Sequence, residues 1–221
     1  MSQSTAQNND RKPGRLYVVA APSGAGKTSL CKALLERLDK EGGRGLYWSV
    51  SYTTRDPRPG EVDGVDYFFV DDDTFDRMVE NGEFAEWANV HSRRYGTSKE
   101  YLERSKVEGT DLLLEIDIQG ARQLKNKLSD AAFIFILPPS WPELEKRLRG
   151  RATEDEEAVK GRLETAKSEM LEWKWFDYII VNEDFDDAVD KLRAVVISVR
   201  HARGAMESVV EPIVKELDRH N

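Results

Sequence analysis

Two groups of residues have the types and spacing for phosphate chemistry. The first is Ala21-Pro22-Ser23-Gly24-Ala25-Gly26-Lys27-Thr28, running through Ser29 into a segment with helical periodicity. Its glycines let backbone N–H groups converge on an anion without Cβ clashes. A helix opening there adds unpaired donors and a partial positive charge. Lys27 can reach the outer phosphates of a nucleotide, and the Thr28 hydroxyl can ligate Mg²⁺. Such loops usually open with glycine. Here Ala21 stands in that place, which is tolerated if its φ is negative. The second group is spread along the chain: Arg55 and Arg58, on a loop stiffened by Pro57 and Pro59, with Tyr67 and Tyr95. Arginine forks grip a phosphate bidentately and tyrosines add hydroxyl donors. This set suits a second phosphate.

A carboxylate adds base recognition. Glu86 lies amid apolar neighbours in Phe84-Ala85-Glu86-Trp87-Ala88. Buried and charged, it needs a partner. Guanine offers two adjacent donors, N1–H and the N2 amine, and one carboxylate accepts both. Ser51 or Thr97 can donate to O6. Adenine has no such donor pair on that edge, so it would leave Glu86 unpaired. A further acidic pair, Glu115 and Asp117, closes the apolar run from Asp111. Ligands of open α/β sheets bind at the carboxyl ends of strands, where an acid is the expected partner of Mg²⁺ or its water shell.

The elements that must position these groups follow from hydrophobic pattern. Leu16–Ala20, Leu46–Val50, Leu112–Ile116, Phe133–Leu137 and Tyr178–Val181 read as buried strands separated by helices. The pattern predicts an α/β protein with a P-loop NTPase-type parallel sheet flanked by helices. Within it, 51–96 reads as an inserted lobe with strands at Val65–Val70 and Phe84–Ala88 and a helix at Asp72–Asn81. Residues 141–162 read as a small mobile lid, a helix over Trp141–Gly150 followed by a stretch from Arg151 to Arg162 that is charged and without core of its own. The remainder, 14–50, 97–140 and 163–221, forms the core domain. Thr97 and Glu100 stand at capping-box spacing before a helix. A last helix carries an apolar stripe from Met206 to Leu217, which suits either core packing or a subunit interface, leaving monomer and homo-oligomer both open.

Composition narrows the class. The 221 residues carry a formal net charge of -8 with 33% charged side chains, which argues against nucleic acid or an anionic membrane as partner. The one cysteine, Cys31, excludes an internal disulfide and suits a reducing, cytoplasmic location. It reads as a small core hydrophobe. No apolar run is long enough to span a bilayer. Residues 1–13 are polar, lack the apolar centre of a signal peptide and read as a disordered tail. His91, His201 and His220 read as surface residues outside the chemistry.

From about Arg15 to about Arg203 the sequence resembles the guanylate kinases, ATP:GMP phosphotransferases among the P-loop nucleoside monophosphate kinases. The motifs that carry the resemblance are residues 21–28, Ser-Tyr-Thr-Thr-Arg-Asp-Pro-Arg-Pro-Gly-Glu (51–61), Asp-Tyr-Phe-Phe (66–69), Phe-Ala-Glu-Trp-Ala (84–88), Tyr-Gly-Thr (95–97), Glu-Ile-Asp-Ile-Gln-Gly (115–120), Arg-Leu-Arg-Gly-Arg (147–151) and Ile-Val-Asn-Glu-Asp (180–184). The resemblance implies that residues 21–29 bind ATP, with Lys27 and Thr28 on its phosphates and Mg²⁺. It implies that Arg55, Arg58, Tyr67 and Tyr95 hold the GMP phosphate, and that Ser51, Glu86, Thr97 and Asp117 read guanine. It places Arg147, Arg151 and Arg162 over the transferring phosphoryl group and Asn182 near adenine. Glu115 stands where the family usually has Asp, and Thr97 where Ser is also common. Two other readings are a guanylate-kinase-like binding module, which tends to lose the phosphate loop that is intact here, and a P-loop sugar-phosphate kinase, which would lack the guanine-reading set.

Overall fold

The computed structural model describes residues 13–42, 45–90, 92–150 and 156–217. Its main sheet has five parallel strands in the order β2-β7-β1-β8-β9 and is flanked by helices. Here β1 is Leu16–Ala20, β2 Leu46–Trp48, β7 Asp111–Glu115, β8 Ala132–Leu137 and β9 Tyr178–Val181. In β2 and β7, Leu46 pairs with Asp111 and Trp48 with Leu113. In β8 and β9, Ile134 pairs with Tyr178 and Leu137 with Val181. Apart from the ends, β1, β7 and β8 are buried throughout, as unbroken apolar runs in a parallel sheet must be. A second, four-stranded sheet has the order β4-β3-β6-β5, with β3 at Tyr52–Thr53, β4 at Phe68–Phe69, β5 at Phe84–Val90 and β6 at Arg93–Ser98.

The chain divides into two compact units: residues up to Val18 with Gly42–Ala131, and Val19–Glu41 with the chain from Ala132 onward. In the first, helix α2 (Asp72–Glu80) lays Phe75 and Met78 against Phe84. Its start is capped by Asp71, whose carboxylate accepts from Thr74 N at 2.8 Å. Helix α3 (Lys99–Glu108) and helix α4 (Ile118–Lys125) complete this unit. In the second unit, helix α1 (Lys27–Lys40) buries Leu30, Cys31, Leu34 and Leu38. Helix α5 (Trp141–Arg149), helix α6 (Glu156–Met170), a 3₁₀ turn (Leu171–Trp175), helix α7 (Phe185–Arg200) and helix α8 (Arg203–Leu217) follow. Helix α1 packs on α7, and Arg37 pairs there with Asp186 and Asp190.

Several sequence expectations change. The strand expected over Val65–Val70 shrinks to β4. Gly64 turns the chain at φ 74°, and the Asp63 carboxylate takes the Phe69 N–H while Asp66 takes that of Val62. Side-chain acceptors thus replace ladder partners. Residues around Tyr95, expected to lead straight into a helix, form β6. Ser98 rather than Thr97 caps α3, its Oγ accepting from Glu100 N at 3.2 Å, because the Thr97 hydroxyl is engaged elsewhere. The charged stretch expected to lack core does bury Val159, and helices α5 and α6 supply Leu144, Leu148 and Ala166 to a buried cluster, with Leu163 and Met170 packed on it. The stripe on α8 is not core. Val209, Val210, Ile213, Val214 and Leu217 are all exposed. His201 is exposed, as expected, while the tail 1–12, His91 and His220 lie outside the described residues. No helix among the described residues is long and apolar enough to cross a membrane.

Candidate active site

Strand alternation builds one cluster of candidate residues. In β6, Tyr95 and Thr97 face one side and Gly96 the other. Glu86 lies directly across from Thr97, and a bulge in β5 between Phe84 and Glu86 shifts the register beside it, a device that re-aims a side chain. Glu86 is only 2% exposed. The Thr97 hydroxyl donates to Glu86 Oε1 at 2.6 Å. In this arrangement the Thr97 hydroxyl orients the carboxylate, and Ser51 is also buried.

Helix α4 holds this carboxylate from outside. Asp117 caps α4, Oδ1 accepting from Gln119 N at 2.7 Å and Gly120 N at 3.1 Å. Gln119, Gln123 and, just past the helix, Lys127 donate to the backbone carbonyls of Asn89, Trp87 and Ala85. These are alternate residues of β5, so one row of side chains covers an otherwise open sheet edge. The approach needs Gly120: a Cβ there would lie 2.2 Å from Glu86 Oε2. Asp117 therefore has a structural task that the sequence reading did not assign.

A second cluster of side chains centres on Arg55. Glu61 grips both its terminal nitrogens at 2.9 Å, and the guanidinium lies 5.3 Å from the Tyr67 ring centre and 5.6 Å from that of Phe69. Tyr67 and Tyr95 meet edge-on at 5.9 Å. Arg58 is exposed on the same loop, its backbone N–H bonded to Glu61 Oε2 at 2.7 Å. Burial pushes the Glu61 carboxyl up, but the hydrogen bonds from Arg55 and the Arg58 backbone outweigh it and hold the group below the ordinary glutamate value. The pair therefore persists as pH falls through the usual carboxylate range and opens below it. Burial first, then the Glu115 charge, raises the Tyr67 phenol, which stays a hydroxyl donor at neutral pH. Glu61 and Phe69 were not assigned from sequence. The signal for Glu61 was the double-proline loop, which folds the acid back on Arg55.

The other unit carries the phosphate loop. Gly24 and Gly26 adopt φ 87° and 91°, values that L side chains avoid. Gly26 caps α1, so Lys27, Thr28 and Ser29 form its first turn. The crest at Gly24 is packed under Leu144 and Leu148. The loop is strapped from behind by Asn182, which is 5% exposed and whose Nδ2 donates to Ala25 O at 2.8 Å. Asn182 also lines a cleft of about 340 Å³ with Gly24, Gly26, Ser29, Arg147, Glu183 and Phe185. Glu183 and the exposed ring of Phe185 were missed in the sequence because nothing in their local pattern marks them. On α5, Arg147 Nε donates to Glu143 at 3.0 Å and its Nη2 to Asn182 O at 3.5 Å. Arg162 is half-buried on α6, and Arg151 lies outside the described residues.

Among the described residues no three His, Cys, Asp or Glu side chains gather at metal-ligand spacing. A lone hydroxyl, Thr28, on the first turn of α1 fits a cation that takes most of its oxygens from phosphate and water, as Mg²⁺ does.

The parallel sheet and the glycine loop opening α1 define a P-loop nucleotide-binding protein. The family model described as "Guanylate kinase" matches residues 13–199. The chain is 50% identical over 190 residues to the guanylate kinase of Geobacter metallireducens, covering 86% of this chain and 91% of that one. It is 43% identical over 204 residues to that of Haemophilus ducreyi, covering 92% and 98%. The crystal structure of guanylate kinase from Anaplasma phagocytophilum superposes with a TM-score of 0.71 at 32% identity, covering 90% of this chain and 96% of that one. The chain belongs to the guanylate kinase family.

Proposed function

We propose that the chain transfers the γ-phosphoryl group of MgATP to GMP, giving ADP and GDP, and accepts dGMP as well. The observation that carries this reading is the buried Glu86, oriented by Thr97 on the same face of the small sheet as Tyr95. A carboxylate so placed selects a base edge with two donors, and guanine has one. In this reading 51–96 takes GMP, with Arg55, Arg58, Tyr67 and Tyr95 on its phosphate and Ser51, Glu86 and Asp117 on its base. The phosphate loop and the cleft beside Asn182 take ATP, and 141–162 serves as the lid.

The acceptor is a phosphate oxygen and already an anion, so no general base is needed. The chain's work is positioning and charge neutralisation. Lys27 and the arginines Arg147, Arg151 and Arg162 carry positive charge to the transferring group. Thr28 would hold Mg²⁺ with the nucleotide, Glu115 and Asp117 would reach its water shell, and the ion would supply neutralisation of phosphate charge. Water must be excluded during transfer, because it would otherwise accept the phosphoryl group.

A coupled ADP-release assay with GMP, dGMP, AMP and UMP tests the reading. GMP and dGMP should turn over, and AMP and UMP should not. AMP reacting as fast as GMP would overturn it.

Asn182→Ala separates the donor side from the acceptor side. It deletes a buried hydrogen bond and leaves Ala25 O to find another donor, a loss of about 1–3 kcal/mol. The expected result is a lower melting temperature and a roughly tenfold higher KM for ATP, with KM for GMP unchanged. Fluorimetric melting and steady-state kinetics on one preparation check both.

A further inference from the structure

The phosphate loop makes one contact that the mechanism above does not use. The backbone N–H of Ser23 donates to Glu169 Oε2 at 3.3 Å, across 146 positions of sequence. Glu169 lies in the last turn of α6. We propose that Glu169 is a positioning residue: it sets the register of α6, and with it Arg162, on the phosphate loop. The proposal rests on the role given above to Arg162.

Helix geometry links the two side chains. Arg162 and Glu169 are seven positions apart, which is two turns less about 20° of rotation. They project from nearly the same face, roughly 10.5 Å apart along the axis. The neighbouring face carries Ala166, wholly buried, with Leu163 and Met170, and packs on Leu144 and Leu148 of α5. Those two leucines in turn cover Gly24. Loop, α5 and α6 thus form a closed circuit of contacts. Most links in it are apolar and tolerate sliding, since packed leucines repack at low cost. The Glu169–Ser23 hydrogen bond is directional and fixes the position of α6 along its axis. An error of an ångström there is carried to the arginine two turns away.

The site is already anionic when nucleotide binds, so a carboxylate beside the loop is not there to attract phosphate. Its use as an acceptor for a backbone N–H accounts for its position. That separates two properties of the side chain, the acceptor oxygen and the charge. Glutamine keeps the first and loses the second.

The experiment compares Glu169→Ala, Glu169→Gln, Arg162→Ala and the Glu169→Ala/Arg162→Ala double variant of the full chain, with MgATP and GMP varied separately. Glu169→Ala should lower kcat by about 10- to 100-fold and leave KM for GMP unchanged. Glu169→Gln should recover most of that loss. The double variant should be no slower than Arg162→Ala, because the anchor has nothing left to place. Melting temperatures identify any variant that fails to fold, and Glu169→Gln keeps the test open in that case. A Gln variant as slow as the Ala variant, or losses that multiply in the double variant, would overturn the proposal. If Arg162→Ala alone kept full kcat, the role of Arg162 in the mechanism would fall, whereas wild-type kcat in Glu169→Ala beside a slow Arg162→Ala would count against Glu169 alone.

Discussion

Lys27→Met is expected to lower kcat by about a thousandfold in a chain that still melts cooperatively. The residue is the first of α1, directly after Gly26 at φ 91°. The helix start is capped by a glycine with no side-chain cap bond, and methionine keeps an unbranched stem of similar length and helix propensity, so α1 should keep its start. In the proposed reading, what is lost is the charge that Lys27 brings to the transferring group. Backbone N–H groups remain and still hold phosphate, so the KM for ATP should rise less than kcat falls. The pattern distinguishes a charge needed in the transition state from one needed for binding. Steady-state kinetics with saturating GMP read it directly, and a kcat within about tenfold of the unsubstituted chain would show that the loop's N–H groups and Mg²⁺ suffice.

The donor loop was legible because its information is local. Apolar β1, the glycines, and Lys27-Thr28 lie within one short stretch, and each implies the next. The same holds for β8 and α7, whose apolar patterns are strong. The acceptor half was legible only as a set of residue types. Arg55, Tyr67, Glu86 and Tyr95 could be named, but how they are held could not. Thr97 shows why. Its spacing to Glu100 fits a capping box, a local signal, yet its hydroxyl goes to Glu86 across the sheet and Ser98 does the capping. A buried carboxylate's demand for a donor outweighs a cap that the adjacent serine supplies equally well. Asp117 is similar. It reads as a ligand, until α4 is seen lying against β5 with Gln119, Gln123 and Lys127 on its carbonyls. Glu61 and Glu169 act on partners brought near by the loop and by the fold, so neither is marked by its own neighbours in sequence.

The same geometry makes Glu86→Gln more informative than a truncation. Thr97 has a proton to give and donates to Oε1. In glutamine only the amide oxygen can accept it, so the NH₂ group must take the place of Oε2. That position faces Gly120, where there is no room for the amide to turn away. The NH₂ then confronts one of the two guanine donors while the amide oxygen can still accept the other, so one of the two paired bonds is inverted in a buried site. Selectivity built on matched hydrogen bonds collapses by several orders of magnitude when the match is inverted. The expected result is a fall of about a thousandfold in kcat/KM for GMP, with the residual rate on AMP unchanged or raised. The substitution is isosteric and keeps the Thr97 bond, so the melting temperature should hold. Glu86→Ala would lack this control, because it opens a cavity and releases Thr97 together. Kinetics on GMP and AMP with one preparation settle the matter: unchanged GMP kinetics in Glu86→Gln would mean that the base is read by another group, and that the buried pair serves only to join β5 to β6.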